Sequence, residues 1–241
     1  MIEGLSYIVF TDFDGTITRT DIGDAMFTEF GKPEECGGAF GEALRGTITA
    51  RESWRRSCAT VESLTRDTFA SFVASQAIDP GFHSFAGYCS QKSIPINILS
   101  DGFDAYITQI LQREELCHLP FYSNHLAFEP DGKITPHFPY TDAECTECAN
   151  CKRNHLLTRS SDDHVIVYIG NGHSDRCPVK YADVIFAKTA LLSYCERENI
   201  TYHRFETFYD VLAKFRTIVE EQRPRKRRTA ELARREIFMQ G

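Results

Sequence analysis

No stretch of this 241-residue chain stays apolar for the roughly 18 residues that a membrane span needs. Met1 runs almost directly into a strand-like segment, with no basic, apolar and small-residue export signal before it. An even, regularly spaced cysteine set is also missing. The nine cysteines are an odd number, scattered apart from Cys145, Cys148 and Cys151, and this excludes a secreted disulfide framework. Reduced, mostly buried thiols and a cytoplasmic location are the expectation. Positive charge is scarce over most of the chain. The net charge is −7, yet residues 223 to 235 hold seven Arg or Lys and one acid, so the remainder stands at −13. A body so acidic excludes nucleic acid as a natural partner, because phosphate backbones demand a basic surface.

What is present is a chain long and apolar enough, at 42% hydrophobic residues, to bury one substantial core with a modest insertion. Leu5 to Thr11 (LSYIVFT) reads as a strand buried on both faces of a parallel sheet. Ile94 to Leu99, Val165 to Ile169 and Val184 to Ala187 repeat the pattern. Helix-like stretches fall at about 81–92, 103–115, 174–182, 188–199 and 206–221, so the alternation predicts an α/β fold with a Rossmann-like parallel sheet. Its ligands belong beyond the carboxyl ends of the strands. Residues 20–79 have helical periodicity and no convincing strand, and read as a helical cap inserted after the first strand. The catalytic core is then 1–19 and 80–215. Pro130-Asp131-Gly132 predicts a hairpin between 126–129 and 133–135. Residues 216–241, with Arg-Pro-Arg-Lys-Arg-Arg at 223–228, form a basic extension, disordered or partly helical, which read alone also resembles a nuclear signal.

The first strand ends in Asp12-Phe13-Asp14-Gly15-Thr16. Two carboxylates two residues apart at a buried strand end are costly unless a cation or a hydrogen-bond network offsets them. With this motif the chain resembles the haloacid dehalogenase superfamily, whose first motif is Asp-x-Asp-x-Thr. The later motifs follow in order: Ser100-Asp101-Gly102 after the second strand, Lys152 after the cysteine cluster, and Gly170-Asn171-Gly172-His173-Ser174-Asp175 after the third strand. Without that series, Lys152 reads as an ordinary helix-opening lysine and Ser100 as a helix N-cap.

The resemblance implies a Mg2+-dependent phosphomonoester hydrolase acting on a small phosphorylated metabolite. A carboxylate attacking a phosphate brings like charges together, at roughly 4 kcal/mol per unit pair about 4 Å apart in an effective dielectric near 20. In this family Asp12 would be the nucleophile and form an aspartyl-phosphate, and Asp14 the acid and then the base. Lys152 would lie against both nucleophile and phosphate. Ser100, with Phe13, Thr16, Asp101 and Gly102, would hold the phosphoryl oxygens. The metal would be held by Asp12, Asp14 (through its main-chain carbonyl), Asn171 and Asp175, an oxygen-only set that suits magnesium. The family's fourth motif usually begins Gly-Asp. Asn171 departs from it, and weaker Mg2+ binding is the expectation, with a catalytically weakened binding protein as the competing class.

The position of the cap resembles the phosphoserine phosphatase-like subgroup. Ser123 to Phe128, Cys145 to Lys152 and Ala182 to Cys195 are similar to the methionine-salvage phosphatases of 2-hydroxy-3-keto-5-methylthiopentenyl 1-phosphate and to their fungal relatives. Pro139-Tyr140 followed by CTECANCK is also similar to phosphatases of phosphocholine, phosphoethanolamine and pyridoxal phosphate. Phosphoserine ranks behind these as a substrate. Asp21, Asp24, Phe27, Phe30, Arg51 and Trp54 are the candidates to face the leaving group. The three clustered cysteines, with His137 or His155, have spacing compatible with zinc, against the alternative of a tight loop that orients Lys152. His125 and His173 read as polar loop residues. Oligomeric state is not legible in the sequence.

Overall fold

The computed structural model describes residues 6–142, 145, 148–221 and 226–240, the last four by their backbone alone. Leu5 of the first expected strand and residues 223–225 of the basic run therefore lie outside the described residues. In chain order the elements begin with β1 (Ser6–Thr11), α1 (Ile22–Phe30), α2 (Pro33–Leu44), α3 (Ala50–Ala59), α4 (Arg66–Ser75) and α5 (Phe82–Gln91). There follow β2 (Ile96–Phe103), α6 (Asp104–Arg113), β3 (Phe121–Phe128), β4 (Ile134–His137) and α7 (Lys152–Arg159). The chain continues through β5 (His164–Gly170), β6 (Val184–Ala187), α8 (Thr189–Arg197), β7 (His203–Arg204), α9 (Phe208–Glu220) and α10 (Thr229–Gln240).

The chain divides into two compact units. The first is Met1–Ile17, Ile78–Leu99 and Lys152–Gly241, and the second is Thr18–Ala77 with Ser100–Cys151. In the first, the expected α/β architecture is present. The strands are parallel and ordered β2-β1-β5-β6-β7. Val9 pairs with Ile96 on one side of β1, and Ser6 through Thr11 pair with His164 through Ile169 on the other. Val9, Phe10 and Val165 to Ile169 are fully buried, as strands covered on both faces require. Helices α5 and α9 pack through Phe82 and Phe208, ring centroids 4.8 Å apart, and through Phe85 with Phe208 and Phe215. Helix α9 starts where it does because Asp210 accepts the N–H of Thr207 at 2.9 Å, half of a capping box.

The helix expected over 174–182 does not form. Two short 3-10 turns, His173–Asp175 and Pro178–Lys180, take its place. Pro178 lacks an N–H for a continuing ladder, and the Asp175 carboxylate is spent on main-chain N–H groups before it. The two-residue β7 has no sequence signature of its own. The basic extension closes in the helix α10, anchored within this unit. Arg227 N donates to Asp183 Oδ1 at 2.7 Å, and Arg234 reaches Asp162 and Ser160.

The second unit holds α1 to α4, α6 and the expected hairpin. Asp21, Thr49 and Thr65 each accept an N–H three residues on, which starts α1, α3 and α4. Arg113 closes α4 by donating to the carbonyls of Val73, Ala74 and Gln76. In the hairpin Phe128 pairs with Ile134, and Gly132 supplies the left-handed residue of the turn at φ +85°. Phe69 of α4 meets Phe128 of β3 edge-on at 5.1 Å.

Candidate active site

Within the first unit, β1 delivers Asp12 to its carboxyl end. Asp12 N donates to Ile169 O at 2.9 Å, which ties that end to β5. The chain then turns: Ile17 N donates to Phe13 O at 2.9 Å, and Gly15 adopts φ +68°. Phe13 and Thr16 are fully buried and Asp14 is half-buried. Thr16 Oγ1 donates to Asp12 Oδ2 at 3.2 Å.

Lys152, the first residue of α7, is 1% exposed and donates from Nζ to Asp12 Oδ1 at 2.5 Å and to Asp175 Oδ1 at 2.7 Å. Tyr168, from the middle of β5, donates its hydroxyl to that same Asp175 oxygen at 2.6 Å. Asp175 Oδ2 accepts the N–H groups of Asn171 and Gly172, each at 2.9 Å. All the lone-pair positions of Asp175 are thereby engaged, which makes it the brace of both Lys152 and the loop. Gly170 has to be glycine, because a Cβ there would lie 2.5 Å from Asp175 Oδ2. On the loop's other side, Asn171 O accepts from Leu191 N at 2.9 Å and Thr189 Oγ1 at 2.7 Å. The Asn171 backbone is thus fixed from both directions before any ligand arrives.

The electrostatics are those of a buried group short of positive charge. Two carboxylates share one ammonium. Burial, and then the Asp175 charge, push the Asp12 carboxyl up to about 7, against the pull of Lys152. Burial favours the neutral amine of Lys152, but Asp12 and Asp175 outweigh it and hold Lys152 protonated. A cation beside Asp12 would offset the surplus. The Asp12 carboxylate, the Asp14 main-chain carbonyl and the Asn171 amide offer hard oxygen donors, the kind that suits Mg2+. Among the described residues no three His, Cys, Asp or Glu side chains come together as a metal-holding group. Cys145 and Cys148 are half-buried and Cys151 is buried.

The second unit carries the Ser100 motif, where β2 passes into α6. Ser100 and Gly102 are buried, and Gly102 N donates to Ser100 Oγ at 2.9 Å. The Asp101 carboxylate accepts Asn150 N at 2.8 Å and Trp54 Nε1 at 3.4 Å. Asn124 donates to Asp101 O at 2.6 Å. Of the helical candidates, Trp54 and Phe27 come together, with centroids 5.8 Å apart, while Phe30 packs on Phe72 and Asp21 caps α1. Burial raises the carboxyl of Asp24. Arg51 is half-buried. His125 pairs with Asp104 at 2.7 Å, and burial lowers His173.

Tyr168, Asn124 and Asn150 went unrecognised as parts of these networks. For Tyr168 the available signal was a hydroxyl inside an otherwise aliphatic buried strand. Asn150 stands two residues before Lys152, inside the cysteine-spaced segment, where an amide carries no pattern of its own. Asn124 was visible only inside a family-like stretch.

Residues 9–177 match the haloacid dehalogenase-like hydrolase model. The chain belongs to that family. It is 32% identical over 216 residues to 2-hydroxy-3-keto-5-methylthiopentenyl-1-phosphate phosphatase of Exiguobacterium sibiricum, spanning 87% of this chain and 96% of that protein. It is 31% identical to Pdp3-interacting factor 1 of Schizosaccharomyces pombe, spanning 88% and 95% of the two chains. Among solved structures, a phospho-aspartyl intermediate analogue of phosphoserine phosphatase superposes with a TM-score of 0.67 at 18% identity, covering 88% of this chain and 99% of that one. At that identity the likeness speaks for the fold. The chain is thus a haloacid dehalogenase-like hydrolase whose bacterial relatives are phosphatases.

Proposed function

We propose that the chain is a Mg2+-dependent phosphomonoester hydrolase working through an aspartyl-phosphate on Asp12. The observation that carries this reading is the buried Asp12 carboxylate, joined to Lys152 at 2.5 Å and to Thr16 at 3.2 Å at the end of a central parallel strand. An Asp12 oxygen attacks phosphorus as the ester P–O bond breaks, and the leaving oxygen takes a proton from Asp14. Asp14, now a carboxylate, takes the proton of the water that attacks phosphorus of the Asp12 acyl phosphate, and the bond from the Asp12 oxygen to phosphorus breaks to release phosphate and the Asp12 carboxylate. Lys152 neutralises the nucleophile and the phosphoryl group. In the first unit Thr16 and the main-chain N–H of Phe13 serve phosphoryl oxygens, and in the second Ser100 and the main-chain N–H of Asp101 are donors of the same kind, with Gly102 N–H holding Ser100 Oγ. Asp12, the Asp14 carbonyl and Asn171 would hold Mg2+, which lends charge to the transferring phosphoryl group. Asp175 acts through Lys152 and the loop.

The substrate to test first is 2-hydroxy-3-keto-5-methylthiopentenyl 1-phosphate, supported by the names of the bacterial relatives, and the setting is cytoplasmic. We assign substrate selectivity to the helical residues 20–79. The direct test is hydrolysis of p-nitrophenyl phosphate with Mg2+, with EDTA, and by Asp12→Asn. Turnover that requires both Mg2+ and Asp12 is the expected result. Folded protein inert on this ester and on a panel of metabolite phosphates would replace the hydrolase with a binding protein weakened at Asn171.

A further inference from the structure

The segment between the hairpin and Lys152 has no part in the chemistry just described, yet its last residues are fully buried. Asn150 is 0% exposed, and each of its donors is spent on the Ser100 motif or on the strand beside it. Its Nδ2 donates to Ser100 O at 2.7 Å and to Tyr122 O at 2.9 Å, and its main-chain N–H donates to Asp101 Oδ1 at 2.8 Å. A peptide unit is planar and trans, so the carbonyl of Ser100 and the N–H of Asp101 point in opposite directions from one rigid plate. Holding Ser100 O therefore aims Asp101 N–H. Asn124 does the same for the next plate, taking Asp101 O at 2.6 Å and so aiming Gly102 N–H toward Ser100 Oγ, which it meets at 2.9 Å.

We propose that Asn150 is a positioning residue for phosphoryl binding: its carboxamide fixes the 100–101 peptide so that Asp101 N–H and Ser100 Oγ are set as donors to the phosphoryl oxygens. The proposal rests on the hydrolase reading above. It also gives the cysteine-bearing segment a purpose, which is to carry Asn150 to the end of β2 immediately before the chain reaches Lys152. Asn150→Asp is the isosteric perturbation, because it swaps the donating NH2 for an oxygen facing two carbonyl oxygens and leaves the main-chain N–H in place.

The experiment is a double-mutant cycle with Ser100→Ala, Asn150→Asp and the pair, run beside wild type on p-nitrophenyl phosphate with Mg2+. It is accompanied by the inhibition constant of inorganic phosphate and by thermal melting. Trp54, the sole tryptophan, bonds to Asp101 and gives an emission readout independent of turnover. Expected are a kcat/KM about 100-fold below wild type for Asn150→Asp, a phosphate inhibition constant raised about tenfold, and a pair whose loss falls short of the product of the two single losses. Trp54 emission shifts as the 100–101 peptide turns and carries the Asp101 carboxylate with it. Fully additive losses, or an unchanged phosphate inhibition constant in a folded variant, overturn the proposal while the hydrolase reading stands. Wild type without turnover overturns both. Should Asn150→Asp fail to fold, Asn150→Ser and Asn124→Ala are read by the same cycle and the same criteria.

Discussion

Replacing Asp12 by Asn should make the metal-free protein more stable at pH 8 while abolishing its activity. The distance between about 7 and the ordinary 3.8 of the Asp12 carboxyl corresponds to about 4 kcal/mol of disfavoured ionisation. Asparagine forgoes that penalty, in which the pull of Lys152 is already counted. Lys152 keeps its pairing with Asp175 at 2.7 Å, so no buried charge is stranded. The gain is therefore up to about 4 kcal/mol, or about 10 °C in Tm for a chain of this size. The sign with pH follows from the raised carboxyl. Folding favours protonated Asp12, so its contribution is fully present below about pH 4 and is lost as pH rises to about 7. Asn does not titrate. The variant's advantage should therefore be widest at pH 8 and close toward pH 4 in melts recorded with EDTA. Mg2+ should narrow the gap by stabilising the wild type alone, by about 2.7 kcal/mol at 100 times its Kd. A variant that melts below wild type in EDTA at pH 8, or a gap independent of pH, would refute the argument that Asp12 is held in a carboxylate-rich site awaiting a cation.

Three other outcomes follow from single contacts. Gly170→Ala places a Cβ 2.5 Å from Asp175 Oδ2. It should cost about 3 kcal/mol in a urea melt and lower kcat at least about tenfold as Lys152 loses its brace; wild-type stability would contradict the crowding. Burial, aided by Arg159, lowers the His155 imidazole to about 4, so its share of stability is present above about pH 6.5 and lost as pH falls to 4. That share is at most about 3 kcal/mol, and His155→Gln should flatten the slope of Tm against pH in that window. Arg113→Ala frees the carbonyl end of α4 and should cost about 1 to 2 kcal/mol in guanidinium titration. Arg113→Lys should rescue little, because one ammonium cannot span three carbonyls.

The four strands that set up the sheet were legible because strands buried on both faces leave long apolar β-branched runs, as in LSYIVFT and VIVYI. The motif acids were legible for a related reason: carboxylates at the ends of such runs have no solvation to keep them there. Elements decided by one partner were not legible. The 174–182 stretch has helical composition, yet Asp175 folds back on the amides of Asn171 and Gly172, and Pro178 removes a further donor. The two-residue β7 exists only because β6 offers it a ladder.

The same distinction explains the site. Residue type announced Asp12 and Asp14, because carboxylates at the end of an apolar strand must have a cause, while Lys152 stood out only by its place in the motif series. It was silent on Tyr168, Asn124 and Asn150, whose neutral hydroxyl and amides are ordinary in any sequence and acquire meaning only from the atoms opposite them. Asp175 sits between these cases. Its charge made it visible, and the motif series implied a metal ligand. Its four hydrogen bonds instead commit it to holding Lys152 and the Asn171 loop. That commitment also bears on the departure at Asn171. With the loop backbone held by Asp175 on one side and by the start of α8 on the other, the amide side chain is presented without a folding cost at binding. In the proposed Mg2+ site, that preorganisation would offset part of the charge that asparagine lacks. Asn171→Asp should accordingly tighten Mg2+ binding through charge alone, with the loop's stability in EDTA unchanged or lower, since a further carboxylate would join a site already short of cations.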